Sequence, residues 1–235
     1  MASMTDSNET MIVFGPEFNP EQDTIFTKPK VNPSGGKNVG ILYGPTKKST
    51  YLSTPLMMTW GINEYVDDRT GKKTYDLALQ FPREQDANYS DDTAEFLSSL
   101  QAFEAKIKAD AISNSKEWMN KTKLTESVVD ALWTPMLKYP KNQETGDPDK
   151  SRRPTLKVKL PTWDGEFKFE LFDVENKMLI PNGDGKSPEE FIEKGSNIAC
   201  ILQCGGVWLA NGNFGVSWKP VSYTHLRAHE TEADL

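Results

Sequence analysis

The segment GVWLANGNFGVSWK limits the fold more than any other part of the chain. Val207, Leu209, Phe214, Val216 and Trp218 recur at every second residue on either side of Asn211-Gly212. Alternation across an Asn-Gly pair is the strongest short-range signal for a two-residue β-hairpin. After it the pattern ends. The stretch SYTHLRAHET looks like a translated adapter or cloning scar, so residues 222–235 are expected to be a non-native tail and the native sequence to be cut just after Lys219. Both histidines, His225 and His229, lie in that tail and drop out as catalytic candidates.

Upstream, LMMTWGINEYV and KTYDLALQF flank the turn DDRTGK, with Tyr75, Leu77, Leu79 and Phe81 on one face. The period then turns helical. Phe96, Leu100, Phe103, Ile107 and Ala111 form one stripe, Ser90 is the expected N-cap, and the helix should run to about Trp118. A shorter helix is expected over Glu126–Trp133, before Pro135. The runs TLKVKLPTW and EFKFELF around Asp164-Gly165 predict another hairpin, with Leu156, Val158 and Leu160 opposite Thr155, Lys157 and Lys159. SNIACILQ and the Asn211-Gly212 hairpin predict three more strands. Regular structure should begin near Val39, because Gly15–Gly36 is broken by Pro and Gly.

Strands, helix, strands, without β-α-β alternation, predict an α+β chain built on an antiparallel β-barrel or sheet. An OB-fold-like version is the economical one, with a long helix inserted between strands and extra C-terminal strands. With 37% hydrophobic residues one core suffices. The expected division is a flexible segment over 1–36, a single OB-like domain over 37–221, and the tail. The sequence has no apolar run long enough for a membrane helix and no secretory leader, which predicts an intracellular protein. Cys200 and Cys204 point to one face of a strand and are expected to be buried, reduced thiols.

The chemistry of catalysis finds little support. Gly185-Lys186-Ser187 lacks the first glycine of a P-loop, since Ile180 stands there, and no G-x-S-x-G elbow is present. The acidic pairs Asp67-Asp68, Asp91-Asp92 and Glu189-Glu190 fall in a turn and at helix starts. No enzyme activity and no cofactor or metal is expected. A carboxylate nuclease would need three or more acids converging in a pocket.

Cations and aromatics are what is left. The net charge is −7, yet Ile25–Asn63 holds five lysines and no acid, and Lys138–Lys159 holds seven Lys or Arg against three acids. A binder of single strands needs a positive groove and flat rings for bases. The candidate cations are Lys37, Lys47, Lys48, Arg152, Arg153, Lys157 and Lys159, and the candidate platforms are Tyr43, Tyr51, Trp163 and Trp208. Trp208 leads them because it alternates out of phase with Val207 and Leu209. Trp60, Phe167, Phe169 and Trp218 share strand faces with aliphatics and are expected in the core.

ILYGPTKKSTYLSTPLMMTWGINEY, YPKNQETGDPDKSRRPTLKVKLPTWDGEFKFELFD and IACILQCGGVWLANGNFGVSWK resemble single-stranded DNA-binding proteins of large double-stranded DNA viruses of algae and their relatives. The resemblance spans about Val39 to Lys219. It implies an OB-like core and a replication protein that coats exposed DNA, or RNA, without sequence preference in the host cytoplasm or nucleus. Replication proteins or a second copy are the expected protein partners. Chains of this family are expected to continue past GVSWK into a partner-binding tail, which is lacking here. The alternative is a virion or replication scaffold that binds protein through the same barrel.

Overall fold

Five segments with apolar alternation become the strands on which the rest is hung. They are β1 (Met57–Val66), β2 (Lys73–Gln80), β3 (Thr155–Leu160), β4 (Ser196–Ala210) and β5 (Asn213–Leu226). A computed structural model describes residues 10–33, 35–181 and 186–226, with side chains as far as Ser222. Strands β1 and β2 pair antiparallel, as do β2 and β3. β3 then lies parallel to β5 through Val158 and Trp218, β5 pairs antiparallel with β4, and β4 returns to β1 through Ser196–Ile198. The pairings close a circuit in the order β1-β2-β3-β5-β4. The chain is an α+β protein dominated by strands, and most of the pairings in this circuit are antiparallel.

The core is built from apolar residues of these strands. Leu77, Leu79, Leu156, Val158, Ile198, Leu202, Val207, Phe214 and Trp218 are all buried. Ala210 pairs with Asn213, and the two residues between them, Asn211 and Gly212, have φ of 51° and 81°. Positive φ at both central positions is the type I′ geometry that matches strand twist.

Helix α1 (Asp91–Ser113) buries the predicted stripe of Phe96, Leu100, Phe103, Ile107 and Ala111. Ser90 Oγ accepts from Thr93 N–H, and Thr93 Oγ1 accepts from Ser90 N–H, closing the helix start. Phe103 packs 5.5 Å from the Phe18 ring and 5.9 Å from Trp218, which ties the helix to β5. Each large side chain buried this way contributes about 1.5–3 kcal/mol. The helix is shorter than predicted. It stops at Asn114, and a separate turn, Ser115–Met119, ends at Asn120 in the left-handed region. Helix α2 (Glu126–Leu132) follows, capped by Thr125.

Four expectations are corrected. Regular structure begins well before Val39: Val13–Phe14 pairs with Leu52–Ser53, Asn19 caps a turn over Pro20–Asp23, and Thr24–Phe26 pairs with Ile41–Tyr43. The glycines and prolines there shape turns that dock. At Gly15 a Cβ would sit 2.4 Å from the Phe96 ring. TLKVKLPTW and EFKFELF do not form one long hairpin. Pro161, which has no N–H to donate, ends β3, and only Thr162–Trp163 and Glu166–Phe167 pair across Asp164-Gly165. SNIACILQ and the strand after it are one strand, β4, irregular at Gly205-Gly206 rather than broken. Finally, β5 does not stop at Ser222. Its backbone runs to Leu226, where Ser222–Thr224 pairs with Glu170–Phe172 and the strand also follows Asn197–Ile201 of β4. Backbone pairing on two sides needs no apolar alternation. His225 therefore lies in a strand, whereas residues 227–235, His229 included, and residues 182–185, with Gly185 of the Gly185-Lys186-Ser187 segment, lie outside the described residues.

Cys200 and Cys204 are both free and buried on β4, and burial raises both thiols, Cys204 to about 12. Among the described residues no helix is long and apolar enough to cross a membrane.

Candidate nucleic-acid interface

With Leu156, Val158 and Leu160 turned inward, strict alternation leaves Lys157 and Lys159 exposed on the outer face of β3. The neighbouring strand supplies a second wall. Trp208 on β4 lies opposite Gly215 on β5, and the segment Trp133–Thr134 pairs parallel with Phe214–Gly215. A Cβ at Gly215 would stand 2.7 Å from the Thr134 carbonyl oxygen and 2.9 Å from Trp208 Cζ2. Glycine thus lets the indole and a third backbone approach the same point. The result is a groove of about 390 Å³ lined by Lys138, Lys157, Lys159, Tyr75 and Trp208, with the buried Trp218 also at its wall.

Two sets of hydrogen bonds hold the wall that carries Lys138. Glu104 of α1 accepts the Met136 and Leu137 N–H groups on Oε1 at 2.7 and 3.2 Å. Trp218 Nε1 donates to Met136 Sδ at 3.1 Å. Burial pushes the Glu104 carboxyl above its usual range, against the two amides, Lys108 and Trp133. Burial, and then repulsion from Lys157, pushes the Lys138 ammonium below its usual value. An anion entering the groove would relieve that repulsion. Lys157 itself is held by Asp76 at 2.6 Å, and Asp76 also accepts from Asn63 Nδ2 at 3.2 Å.

A second basic depression, about 350 Å³, adjoins the start of β3 and is lined by Arg83, Lys150, Arg152 and Arg153. Arg153 faces Glu84 at 3.8 Å, and Arg83 is bound to Asp86 at 2.9 Å. At about 3.3 Å per extended residue, the chain from Arg153 to Lys159 sets a basic track of roughly 20 Å.

The residues singled out in the sequence separate into groups. Lys157, Lys159 and Trp208 share the groove, and Arg152 and Arg153 line the adjoining depression. Trp163 is 70% exposed on the Asp164-Gly165 ribbon, whose Phe167 ring lies 5.0 Å from Tyr75 at the groove. Lys37 donates to Asn120 Oδ1 at 3.3 Å and the Trp118 carbonyl at 3.5 Å, beside the tip of the β4-β5 hairpin. Lys47 and Lys48 are exposed at the turn of a separate three-stranded sheet and do not line the groove. Tyr51 is half-buried, and its hydroxyl accepts from Gln203 Nε2 at 2.9 Å.

Two expectations fail on exposure. Tyr43 is only 8% exposed, because it alternates with Ile41 into the core, so it offers no platform. Burial and the nearby Asp23 and Glu17 raise its phenol above the ordinary value. Trp60, expected in the core, is 60% exposed. Thr59 pairs with Leu79 and Ile62 with Leu77, so Trp60 and Gly61 together oppose Ala78 in a bulge. That extra residue takes Trp60 off the inward face to which Ile62 belongs.

Solved structures to which the chain is similar include phage single-stranded DNA-binding proteins. One is that of bacteriophage Enc34 in complex with ssDNA, at a TM-score of 0.45 and 11% identity, covering 86% of this chain and 96% of that one. Another is gp2.5, a single-stranded DNA-binding protein encoded by bacteriophage T7, at 0.45 and 11%, covering 79% of this chain and 91% of that one. No protein-family model matches the sequence, and no curated protein matches it.

Sequence reading missed Lys138, Tyr75 and Asp76 in the groove. Lys138 had a signal, since it opens the basic run that ends at Lys159. Tyr75 and Asp76 had none, because their place depends on the β2-β3 register.

Proposed function

We propose that this chain is a non-enzymatic binder of single-stranded nucleic acid, coating exposed DNA strands during replication without sequence preference. The observation that carries the proposal is the shared groove, in which the Trp208 ring stands with Lys138, Lys157 and Lys159. The ammonium groups follow the phosphates and release their counterions. The indole accepts the face of any base, which makes the contact tolerant of sequence. Only an unpaired base can present that face, so a duplex is a poorer ligand. The protein's overall negative charge opposes nucleic acid at long range, which leaves attraction to the local track and makes it sensitive to salt.

The framework suited to this role is an OB-like barrel. The circuit β1-β2-β3-β5-β4, with β3 parallel to β5, supports that reading, with the long helix inserted between β2 and β3. The test is titration of intrinsic tryptophan fluorescence with oligodeoxythymidine, oligouridine and a duplex of equal length. Saturable quenching by single strands and much weaker binding of duplex are expected. No binding at low salt, or equal affinity for duplex, would overturn the proposal.

A further inference from the structure

An exposed indole on a sheet face needs a reason, since burying a Trp is among the larger gains open to a fold. At Trp60 the exposure is built in by the backbone. The bulge at Trp60-Gly61, with Gly61 at φ 91°, sets two residues against Ala78. Ala78 is in turn paired with Lys157 on β3. Trp60, Ala78 and Lys157 therefore form one row across β1, β2 and β3 on the outer face, with the smallest side chain in the middle. The next row is Asn63, Asp76 and Lys159. At about 4.8 Å per strand, the Trp60 backbone lies two spacings, roughly 10 Å, from that of Lys157.

We infer that Trp60 is a second stacking platform, receiving an unpaired base of the same strand whose phosphates engage Lys157 and Lys159. This inference rests on the single-strand reading given above. Charge favours a nucleic acid at this face over a protein, because the cations in the same row and the next, Lys157 and Lys159, are those of the groove. Trp208 and Trp60 then flank the β3 lysines, and the strand crosses β3 on its way between them.

The experiment uses the full chain carrying Trp60→Ala or Trp60→Phe, titrated with oligodeoxythymidines of increasing length, with Trp208→Ala in parallel. Trp60→Ala should weaken binding of long oligomers by roughly 5- to 150-fold, without changing the salt slope. It should have little effect on oligomers too short to reach from Trp208. Trp60→Phe should keep most of the affinity but lose part of the fluorescence quenching, which guards against a misfolded Ala variant. Wild-type affinity in Trp60→Ala at every length, with Trp208→Ala impaired, would overturn the inference and leave the single-strand reading in place. Absence of binding by the wild-type chain would overturn both.

Discussion

Trp208 and Gly215 are cross-strand partners in the β4-β5 hairpin, where a methyl group on Gly215 would lie 2.9 Å from the indole. The same methyl would stand 2.7 Å from the Thr134 carbonyl, which is backbone and cannot rotate away. Gly215→Ala should therefore cost about 1–3 kcal/mol, the range for overpacking, and weaken binding of single strands by displacing the platform. Thermal denaturation and a fluorescence titration check the two effects. Unchanged stability would mean that the indole and Thr134 are not packed as described.

Glu104 gives the groove a dependence on pH. Its folded pKa is raised, so the folded chain holds this proton to a higher pH than the unfolded chain does. The associated stability is fully present below the unfolded value, about 4.3, and is lost as pH rises through the raised one. Glu104→Gln keeps an acceptor for the Met136 and Leu137 amides and removes the titration. Relative to wild type, the variant should gain stability in denaturant unfolding as pH rises above about 4.3. A difference independent of pH would contradict this role.

The partner of Lys157 also predicts a gain. Asp76 neutralises that ammonium at 2.6 Å, and a phosphate must displace or share it. Asp76→Asn keeps the Asn63 neighbour and should bind single strands about 1.4- to fivefold more tightly at low salt, the equivalent of ~0.2–1 kcal/mol for an ion pair of this exposure. The gain should shrink as salt rises. Weaker binding by the variant would show that Asp76 positions Lys157 rather than competing with the ligand.

Period and turn chemistry made much of this legible in the sequence. The Asn211-Gly212 hairpin, the Phe96-to-Ala111 stripe and the outward Lys157 and Lys159 all follow from local rules that the fold obeys. Trp60 and Tyr43 did not follow. One extra residue at a bulge reverses the face of Trp60, and periodicity cannot reveal a bulge before the partner strand is known. Tyr43 alternates with Ile41 into the core on a short strand that pairs with Thr24–Phe26, a segment read from the sequence as irregular. Sequence reading gave Lys47 and Lys48 the same weight as Lys157 and Lys159. Only the assembled sheet places the second pair beside Trp208.

The most direct test is the slope of log affinity against log salt for oligodeoxythymidine, measured for the wild type and three variants. Replacing Lys157 and Lys159 together by Ala should make the slope shallower by about 1.4, two contacts at roughly 0.7 each. Trp208→Ala should cost about 1–3 kcal/mol and leave the slope alone, because a stacked ring releases no counterions. The Lys47→Ala, Lys48→Ala pair should stay close to wild type in both. A slope unchanged by loss of Lys157 and Lys159, or one that falls with Trp208, would contradict the groove as the path of the strand.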